Sequence, residues 1–343
     1  MAFPKGSLVL VTGVTGTIGA AVADRVLQAG YKIRAPIRNA EKGQLITELF
    51  HKRYGTEAFS TVMIPDMTTP GVFDEAMKDC AGVVHLASEM AFSPDPNKMI
   101  PPSLAMVNNV LTAASKTSSV KRVVYTSSQV TLPSISEPGV INGSSWQPRA
   151  DEVIAHAWAE PYTPDKARSV YVAGKISAER ACWDFVKREK PSFVLNTVVP
   201  GFVIGESIHP KLVSSSNSAI LGMLDSDPFS VGFLRGISPA SSVNLDDTAV
   251  LHLAALIRED VSNERLLALG ETFDFNRLVD VLEQLAPGSN LPARLEDPGK
   301  QVAEIDTKRE VELLKALGKG GFTGFEESVR VCFTSAKPTN DAA

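Results

Sequence analysis

The sequence predicts a doubly wound α/β fold: a parallel sheet with helices on both faces, followed by a smaller C-terminal lobe. Short apolar runs alternate with helical patterns over the first 200 residues, which is typical of repeated βαβ units. The first run also leads into a glycine-rich turn and then a helix. Strands are expected near residues 7–12, 31–37, 59–64, 82–87, 122–127 and 193–199, with helices between them that include one opening near Pro70 and one within 102–117.

A glycine-rich turn follows the first predicted strand. Gly13, Gly16 and Gly19 stand at the spacing T-G-x-x-G-x-x-G, and the helical pattern 20–29 that follows ends at Gly30. Glycines permit a tight turn and let backbone N–H groups approach a phosphate, while the helix N-terminus adds free amides and partial positive charge. A glycine-rich loop without a ligand has the same pattern, but its place after an N-terminal strand favours dinucleotide binding.

The end of the second predicted strand indicates which dinucleotide binds. A site for NAD usually places an Asp or Glu there, which binds the ribose 2′-hydroxyl. This chain has Ile37 instead, followed by Arg38 and, four residues later, Lys42. A guanidinium can pair with a 2′-phosphate that an acid would repel. We therefore expect NADP(H), although an exposed loop arginine with no ligand is also common.

A Tyr-x-x-x-Lys pair, Tyr171 and Lys175, lies in a helical pattern over residues 169–187. Residues four apart share one helix face, so both side chains can meet the same ligand. A lysine ammonium and the positive ring of NADP+ would both lower the pKa of the tyrosine, which is about 10 when unperturbed. Tyr171 is then a candidate general acid toward a carbonyl oxygen, although this spacing alone often arises by chance.

Two serines end the fifth predicted strand. Residues 121–126 form a basic start and an apolar run, and Ser127 and Ser128 follow at its carboxyl end. Ligands of open parallel sheets bind at that end of the strands. A serine hydroxyl there can polarise a substrate carbonyl, although paired serines are also ordinary turn residues.

Together these features resemble the extended short-chain dehydrogenase/reductase superfamily over nearly the whole chain, and more narrowly its dihydroflavonol-reductase-like branch. In length and in its opening stretch 6–13, the chain is similar to the fungal and yeast NADPH-dependent aldehyde and ketone reductases. The resemblance implies a Rossmann fold and reduction of a ketone or aldehyde. The motifs that carry it are Thr12-Gly13-x-x-Gly16-x-x-Gly19, Asp66-Met67, His85-Leu86-Ala87-Ser88, Thr126-Ser127-Ser128, Tyr171-x-x-x-Lys175, Pro200-Gly201, and the stretches 243–247 and 270–276.

The resemblance also implies roles for individual residues. It makes Ser128, Tyr171 and Lys175 the catalytic set, with Tyr171 as acid/base and Lys175 orienting the ribose. Candidate substrate contacts are Glu89, Gln129 and Phe202, and no metal site is expected. The cofactor-binding residues, including those argued above, are Gly13, Thr15, Gly16, Thr17, Ile18, Gly19, Arg38, Lys42, Asp66, Met67, Leu86, Ala87, Ser88, Thr126, Ser127, Tyr171, Lys175, Pro200, Gly201, Phe202, Val203 and Ser215.

Three positions depart from the family pattern or have a second interpretation. Residues 105–109 stand where many relatives carry Asn-x-x-Gly-Thr, which affects helix packing rather than chemistry. Gln129 stands where a small residue is common and is expected to reshape the pocket. Glu89 fits an exposed loop carboxylate better than a substrate contact, because acidic residues mostly stay exposed.

Composition and charge fit a protein whose partner is a small molecule. The chain has 343 residues, 44% hydrophobic and 21% charged, and its net charge of −5 does not suggest a nucleic-acid surface. Cys80, Cys182 and Cys332 are widely spaced, which suits a reducing compartment, and Cys182 is expected to be buried. With neither a signal segment nor a run of about 18 apolar residues, we expect no membrane contact and a cytosolic monomer or homodimer.

The predicted domain division follows the motifs. Residues 1–200, with 241–272 returning to them, form the cofactor-binding domain. Residues 201–240 and 273–334 form a substrate-binding lobe, and 335–343 a flexible tail. The segments 129–165 and 201–240 lack clear periodicity and are expected to be long loops over the active site.

Two helices are expected in the C-terminal lobe. One spans 278–285. The other follows a capping box formed by Thr307 and Glu310, and Gly318 is its natural stop.

Three functions compete on these observations. An NAD-dependent epimerase or dehydratase of nucleotide sugars needs an acid at the end of the second strand, which this chain lacks. A non-catalytic NADP(H) sensor has no need of a proton donor. We therefore expect NADPH-dependent reduction of a small carbonyl compound, bulky and largely uncharged, because the predicted specificity segments carry aromatic side chains at Trp146, Trp158, Phe202 and Phe233.

Overall fold

The computed structural model describes residues 1–89, 91–212 and 214–336. The strands are β1 Leu8–Thr12, β2 Lys32–Ile37, β3 Phe59–Met63, β4 Cys80–His85, β5 Arg122–Thr126, β6 Val140–Ile141, β7 Val194–Pro200, β8 Phe202–Ile204, β9 Ala240–Asn244, β10 Arg265–Ala268, β11 Thr272–Phe273 and β12 Glu304–Ile305. The helices are α1 Thr17–Gln28, α2 Ala40–Tyr54, α3 Ile100–Lys116, α4 Ala150–Trp158, α5 Ala167–Glu189, α6 Ser215–Gly222, α7 Pro228–Ile237, α8 Leu245–Ile257, α9 Phe275–Leu285, α10 Lys308–Ala316 and α11 Phe325–Ala336.

A seven-stranded sheet forms the centre of the protein, in the order β10-β7-β5-β4-β1-β2-β3, and every pair in it is parallel. The chain runs outward from β1 to β3 on one side and then returns to β4 on the other side of β1. This reversal of strand order creates a crevice at the carboxyl ends of β1 and β4, where ligands of such sheets bind. The predicted doubly wound fold is confirmed, and so are all six predicted strands.

Helices cover both faces of the sheet because its strands are apolar on both sides. Val9, Val11 and Val84 face a core shared with α1 and α8. Leu10 and Val83 face a second core with α3 and α5. Strands that are buried on both faces appear in a sequence as continuous apolar runs. This is why the six strands could be predicted from the sequence.

A second, smaller layer packs beyond β7. Strands β8 and β9 pair in parallel and β11 joins β9 in antiparallel fashion. Their side chains share a core with α6, α7, α9 and α11, which includes stacked rings at Phe273 and Phe325. This layer contains most of the predicted substrate-binding lobe, whose separate domain status stays a prediction.

One short pairing joins two distant segments of the chain. Strands β6 and β12 pair in parallel, with Val140 opposite Glu304 and Ile141 opposite Ile305. The amides of Val302 and Ala303 both donate to the Ile135 carbonyl, at 2.8 and 2.9 Å. The region after β5 is therefore bound to the C-terminal part of the chain by backbone hydrogen bonds.

The expected helix near Pro70 is wrong. Residues 68–79 form a series of turns instead. Gly71 and Asp79 both have positive φ, +76° and +65°, which a right-handed helix does not allow. The buried side chains of Phe73 and Met77, four residues apart, produced the helical pattern.

The two segments expected to be long loops also contain regular structure. Segment 129–165 contains β6 and α4, and α4 packs on α5. Segment 201–240 contains β8, α6 and α7. These elements are two to ten residues long, too short to give a clear period in the sequence.

The C-terminal expectations have a mixed outcome. Helix α9 confirms the first prediction, and its Asp274 side chain accepts a hydrogen bond from the Arg277 amide. The capping box is wrong, because Thr307 makes no side-chain cap and Glu310 accepts from the Leu267 amide of β10 at 2.8 Å. Gly318, with φ +89°, follows the end of α10 as expected. In the expected tail, Ser335 and Ala336 end α11 instead, and the remainder lies outside the described residues.

Candidate active site

The glycine turn after β1 leaves no room for a side chain at Gly13 or Gly19. Gly13 has φ +76°, and a Cβ there would lie 3.0 Å from the Ala87 nitrogen. A Cβ on Gly19 would lie 2.1 Å from the Gly13 carbonyl oxygen. The Gly16 amide donates to that same oxygen at 3.0 Å. Glycine is thus required at positions 13 and 19, whereas a Cβ on Gly16 would lie 3.4 Å from the Gly13 carbonyl oxygen, an ordinary contact.

The start of α1 suits an anion. Its N-cap is Gly16, no side chain caps it, and its first turn contains no acid. The first amides of a helix have no partner within the helix and carry partial positive charge. Thr17 donates its hydroxyl to the Leu212 carbonyl at 2.8 Å, while Thr15 and Ile18 are half-buried beside it. The residues present therefore fit a dinucleotide phosphate.

Strands β1 and β4 are joined at their carboxyl ends by the Thr12 hydroxyl. This oxygen accepts from the amides of Leu86 and Ala87, both at 3.1 Å, and lies 2.8 Å from Nδ1 of His85. With both acceptor positions filled, Thr12 donates its own hydrogen to Nδ1. Burial and the nearby Lys175 charge lower the pKa of His85 to about 3, so the ring stays neutral.

Tyr171, Lys175 and Ser128 meet at the carboxyl end of β5. Lys175 donates from Nζ to the Thr126 carbonyl at 3.2 Å, and its ammonium lies 5.7 Å from the centre of the Tyr125 ring. Ser128 lies half-buried just after β5, close enough to Tyr171 for the side chains to interact through their hydroxyls. Helix α5 thus brings both of its predicted residues to the predicted serine.

The protonation states differ in part from expectation. Burial raises the pKa of Tyr171 above its usual value, and the hydrogen bond with Ser128 offsets this only in part. The expected lowering by Lys175 is wrong for the protein alone. Burial lowers the pKa of Lys175 to about 8, although the charge of Glu179 opposes this shift.

Two further side chains hold the end of β5. Thr126 bonds through its hydroxyl to Nε2 of His252 at 2.8 Å, and Nδ1 of that ring donates to the Thr248 carbonyl. Burial lowers the pKa of His252 to about 4, so it is neutral. Ser127 donates to the carboxylate of Glu179. The strand end that positions Ser128 is therefore fixed on both sides.

The remaining predicted cofactor residues have the following places in the fold, and their role stays a prediction. At the end of β2, Arg38 is exposed, with Lys42 in the first turn of α2. The Asp66 carboxylate is exposed and accepts from the Thr68 amide and hydroxyl, which lowers its pKa. The others lie after the ends of β3 and β4, at or just after the end of β7, on β8 or at the start of α6: Met67, Ser88, Pro200, Gly201, Phe202, Val203 and Ser215.

The predicted substrate contacts are not equally accessible. Glu89 and Gln129 are half-buried after β4 and β5. Phe202 is 6% exposed, and its ring packs between Phe233 and Phe273, at 6.2 and 5.6 Å between ring centres. Its role as a substrate contact stays a prediction.

One aromatic residue at this site carried no signal in the sequence. Phe92 stacks on Tyr171, with ring centres 5.0 Å apart and planes at 25°. It is 41% exposed and has φ +48°, a conformation that bulky side chains rarely adopt. Such strain often accompanies a functional position.

Among the described residues, no group of three His, Cys, Asp or Glu side chains is arranged to hold a metal ion. Nor does that part of the chain contain a helix with the length and hydropathy needed to cross a membrane. All three cysteines are free and buried, Cys182 as expected.

The chain is similar to known proteins in both sequence and structure. Residues 9–221 match the model of the NAD dependent epimerase/dehydratase family. The chain is 38% identical to the NAD-dependent epimerase/dehydratase terH of Aspergillus terreus over 333 residues, 95% of each protein. It is 35% identical to aldehyde reductase 2 of Sporidiobolus salmonicolor, again over 95% of each. The structure of Gre2 from Candida albicans in complex with NADPH superimposes with a TM-score of 0.79 at 25% identity, covering 96% of this chain and 98% of that one.

Substitution of the buried lysine tests the electrostatics of this site. Because burial holds the pKa of Lys175 near 8, the folded protein releases a proton that the unfolded chain keeps up to about pH 10.5. The free energy of unfolding should therefore rise with pH between about 8 and 10.5. Lys175→Met should flatten this rise and, at pH 7, stabilise the protein without NADPH by up to about 3 kcal/mol, at 1.36 kcal/mol per pKa unit.

Chemical denaturation at a series of pH values measures both effects. The difference between the two proteins isolates Lys175 from other groups that titrate in this range. If Lys175→Met were less stable at pH 7 and its free energy of unfolding still rose fully with pH, burial would not be what lowers the pKa of Lys175.

Proposed function

The chain belongs to the NAD-dependent epimerase/dehydratase family, the extended short-chain dehydrogenases/reductases, and on that premise we propose that it is an NADPH-dependent carbonyl reductase. The observation that carries the proposal is the meeting of Ser128, Tyr171 and Lys175 at the end of β5. The glycine turn lies at the same edge of the sheet, because parallel strands place their carboxyl ends together. A proton donor and a dinucleotide site therefore share one crevice.

The side chains of this crevice act on the carbonyl oxygen. NADPH, when bound, supplies the hydride for the carbonyl carbon. Tyr171 donates its phenolic proton to the oxygen, and its raised pKa keeps the phenol protonated at neutral pH. Ser128 donates a hydrogen bond to the same oxygen, which stabilises the charge that develops on it.

The cofactor is held by backbone amides and by two cations. The turn at Gly13 and Gly16 and the uncapped start of α1 receive the pyrophosphate. Arg38 pairs with the 2′-phosphate, because its guanidinium is exposed and Ile37 replaces the acid of an NAD site. Lys175 holds the ribose. These assignments favour reduction over the chemistry of the nucleotide-sugar epimerases.

The proposed substrate is a bulky, largely uncharged ketone or aldehyde. It binds between the cofactor and the surface formed by segments 129–165 and 201–240. Phe92 supports this choice, because its exposed ring already covers Tyr171. A flat or apolar substrate group can replace the ring-to-ring contact that Phe92 makes with the tyrosine.

Replacement of the proposed acid tests the reaction. Tyr171→Phe keeps the ring and its stacking on Phe92, so the protein should fold and bind NADPH. Turnover of a ketone and aldehyde panel, measured by NADPH oxidation, should fall by about 10²–10⁴-fold. Tyr31→Phe is the matched control, because its hydroxyl bonds Met1 on the far side of the sheet and should not affect turnover. Near-full activity of Tyr171→Phe would exclude this tyrosine as the acid.

Replacement of the exposed arginine tests the choice of cofactor. The unmodified protein should bind NADPH well ahead of NADH in calorimetric titration. Arg38→Ala should weaken NADPH binding by about 1.5–3 kcal/mol, the contribution of a hydrogen bond to a charged group, and leave NADH binding almost unchanged. Arg330→Ala, an exposed arginine of α11, should change neither. Equal affinities in the unmodified protein would favour the epimerase alternative.

Replacement of the ring over the tyrosine tests the substrate pocket. Phe92→Ala should change the ratio of kcat/KM between bulky aromatic ketones and small aldehydes by about 10-fold or more, with NADPH affinity preserved. Val302→Ala is the control, because this side chain is exposed and its bond to Ile135 is made by the backbone amide, which the substitution keeps. Parallel losses for all substrates would assign Phe92 a structural role instead.

A further inference from the structure

A buried carboxylate lies directly behind the catalytic set. Glu179 is fully buried, and each of its two oxygens has two partners. Oε1 accepts from Nε of Arg265 at 2.7 Å and from the Thr197 hydroxyl at 3.0 Å. Oε2 accepts from the Ser127 hydroxyl and from Nη2 of Arg265 at 3.3 Å. One carboxylate thus joins α5, the end of β5, β7 and β10.

The partner arginine extends this connection to the segment after β5. Arg265 is 8% exposed and donates from Nη2 to the Thr131 hydroxyl at 3.1 Å. Its Nη1 donates to the carbonyls of Gly143 and Ser145, and its guanidinium lies 3.9 Å from the centre of the Trp146 ring. Each N–H group of the Arg265 guanidinium therefore donates a hydrogen bond, either to Glu179 or to the segment after β5 that adjoins the proposed pocket.

Helix geometry places the Glu179 carboxylate on the same face of α5 as the two catalytic candidates of that helix. Tyr171, Lys175 and Glu179 are spaced four residues apart on α5 and share one face of it. We propose that Glu179, through Arg265 and Ser127, is a positioning residue that sets Ser128 and the segment 129–147 against Tyr171. This inference rests on the proposed reductase function, because it assigns the pair to the same reaction.

The stability of the fold does not explain this pair. Removing two charges from water is costly, and apolar side chains of similar volume often replace a buried ion pair with no loss of stability. What an apolar pair cannot do is orient the hydroxyl of Ser127, one residue before Ser128, or hold two carbonyls of the adjoining segment. A displacement of about 1 Å near the reacting atoms can reduce turnover about 10²-fold.

The charge of Glu179 also acts on Lys175. Burial lowers the pKa of that lysine to about 8, and the carboxylate opposes the shift more than the neighbouring thiol of Cys182 does. The other groups near the ammonium are the rings of His85 and Tyr125, of which His85 is neutral, while Tyr171 lies one helix turn earlier on α5. Without Glu179, the pKa of Lys175 would fall further toward neutral pH.

Two variants and one control test the proposal. Glu179→Gln removes the charge and leaves Arg265 unpaired, so its stability can fall for that reason alone. The double variant Glu179→Met/Arg265→Met removes both charges and should remain folded. Arg122→Met is the matched control: this buried arginine donates to the carbonyls of Val261 and Glu259 at the opposite end of β5.

The double variant should lose about 10–100-fold in kcat with little change in NADPH affinity. Its alkaline loss of activity should begin at lower pH than in the unmodified enzyme. Without NADPH, the rise of unfolding free energy with pH should also begin lower, because Lys175 releases its proton earlier. Arg122→Met should lower stability and shift neither pH profile.

Three outcomes would overturn the proposal: an unchanged kcat and pH profile in the folded double variant, the same pH shift in Arg122→Met, or failure of both Glu179 variants to fold. The last would make the pair a requirement of the fold. An unmodified protein that lacks reductase activity would contradict the proposed function. The link between Glu179 and Lys175 would still be tested, because the pH dependence of the unfolding free energy is measured without substrate.

Discussion

The ammonium of Lys175, buried at the edge of the sheet, is the constraint on which the rest of the site depends. A charge in that position requires a carbonyl acceptor, a compensating carboxylate and neutral neighbours. The Thr126 carbonyl, Glu179 and the neutral His85 supply these. Each comes from a different element, so satisfying one ammonium aligns β4, β5 and α5 with one another. The position of Tyr171, one turn earlier on α5, follows from that alignment.

The features that the sequence predicted well are those set by local contacts. Strands buried on both faces appear in the sequence as apolar runs, and the need for Gly19 comes from its contact with Gly13 in the same turn. The Tyr-Lys pair was visible because one helix turn separates its members. Glu179 lies one turn further along α5 and continues the four-residue spacing of Tyr171 and Lys175. The sequence therefore already indicated that it shares their helix face. The helix wrongly expected near Pro70 had the right period at Phe73 and Met77, but positive φ at Gly71 and Asp79 limits that stretch at both ends, and its residues form turns.

What the sequence did not reveal depends on contacts between distant residues. Arg265 lies 86 positions after Glu179, and no local pattern marks either as half of a buried pair. The spacing of Glu310 from Thr307 fits a capping box. In the structure, however, the Glu310 carboxylate accepts a hydrogen bond from the amide of Leu267 on β10 instead. Phe92 is defined by its stacking on a ring 79 residues away and by a backbone conformation that its side chain disfavours. The short helices after β5 and β7 are stabilised by packing on α5 and on the second layer rather than by their own periodicity.

The pairing of β6 with β12 has a consequence for exchanging parts between homologues. The segment that follows β5 is not an independent insert, because its backbone is paired with residues 302–306 near the other end of the chain. A chimera that receives only the segment after β5 from a relative would pair that segment with residues 302–306 of a different parent. The two paired segments would then not have evolved together. Recombination between members of this family should therefore succeed more often when both segments come from the same parent, even though about 160 residues of sequence separate them.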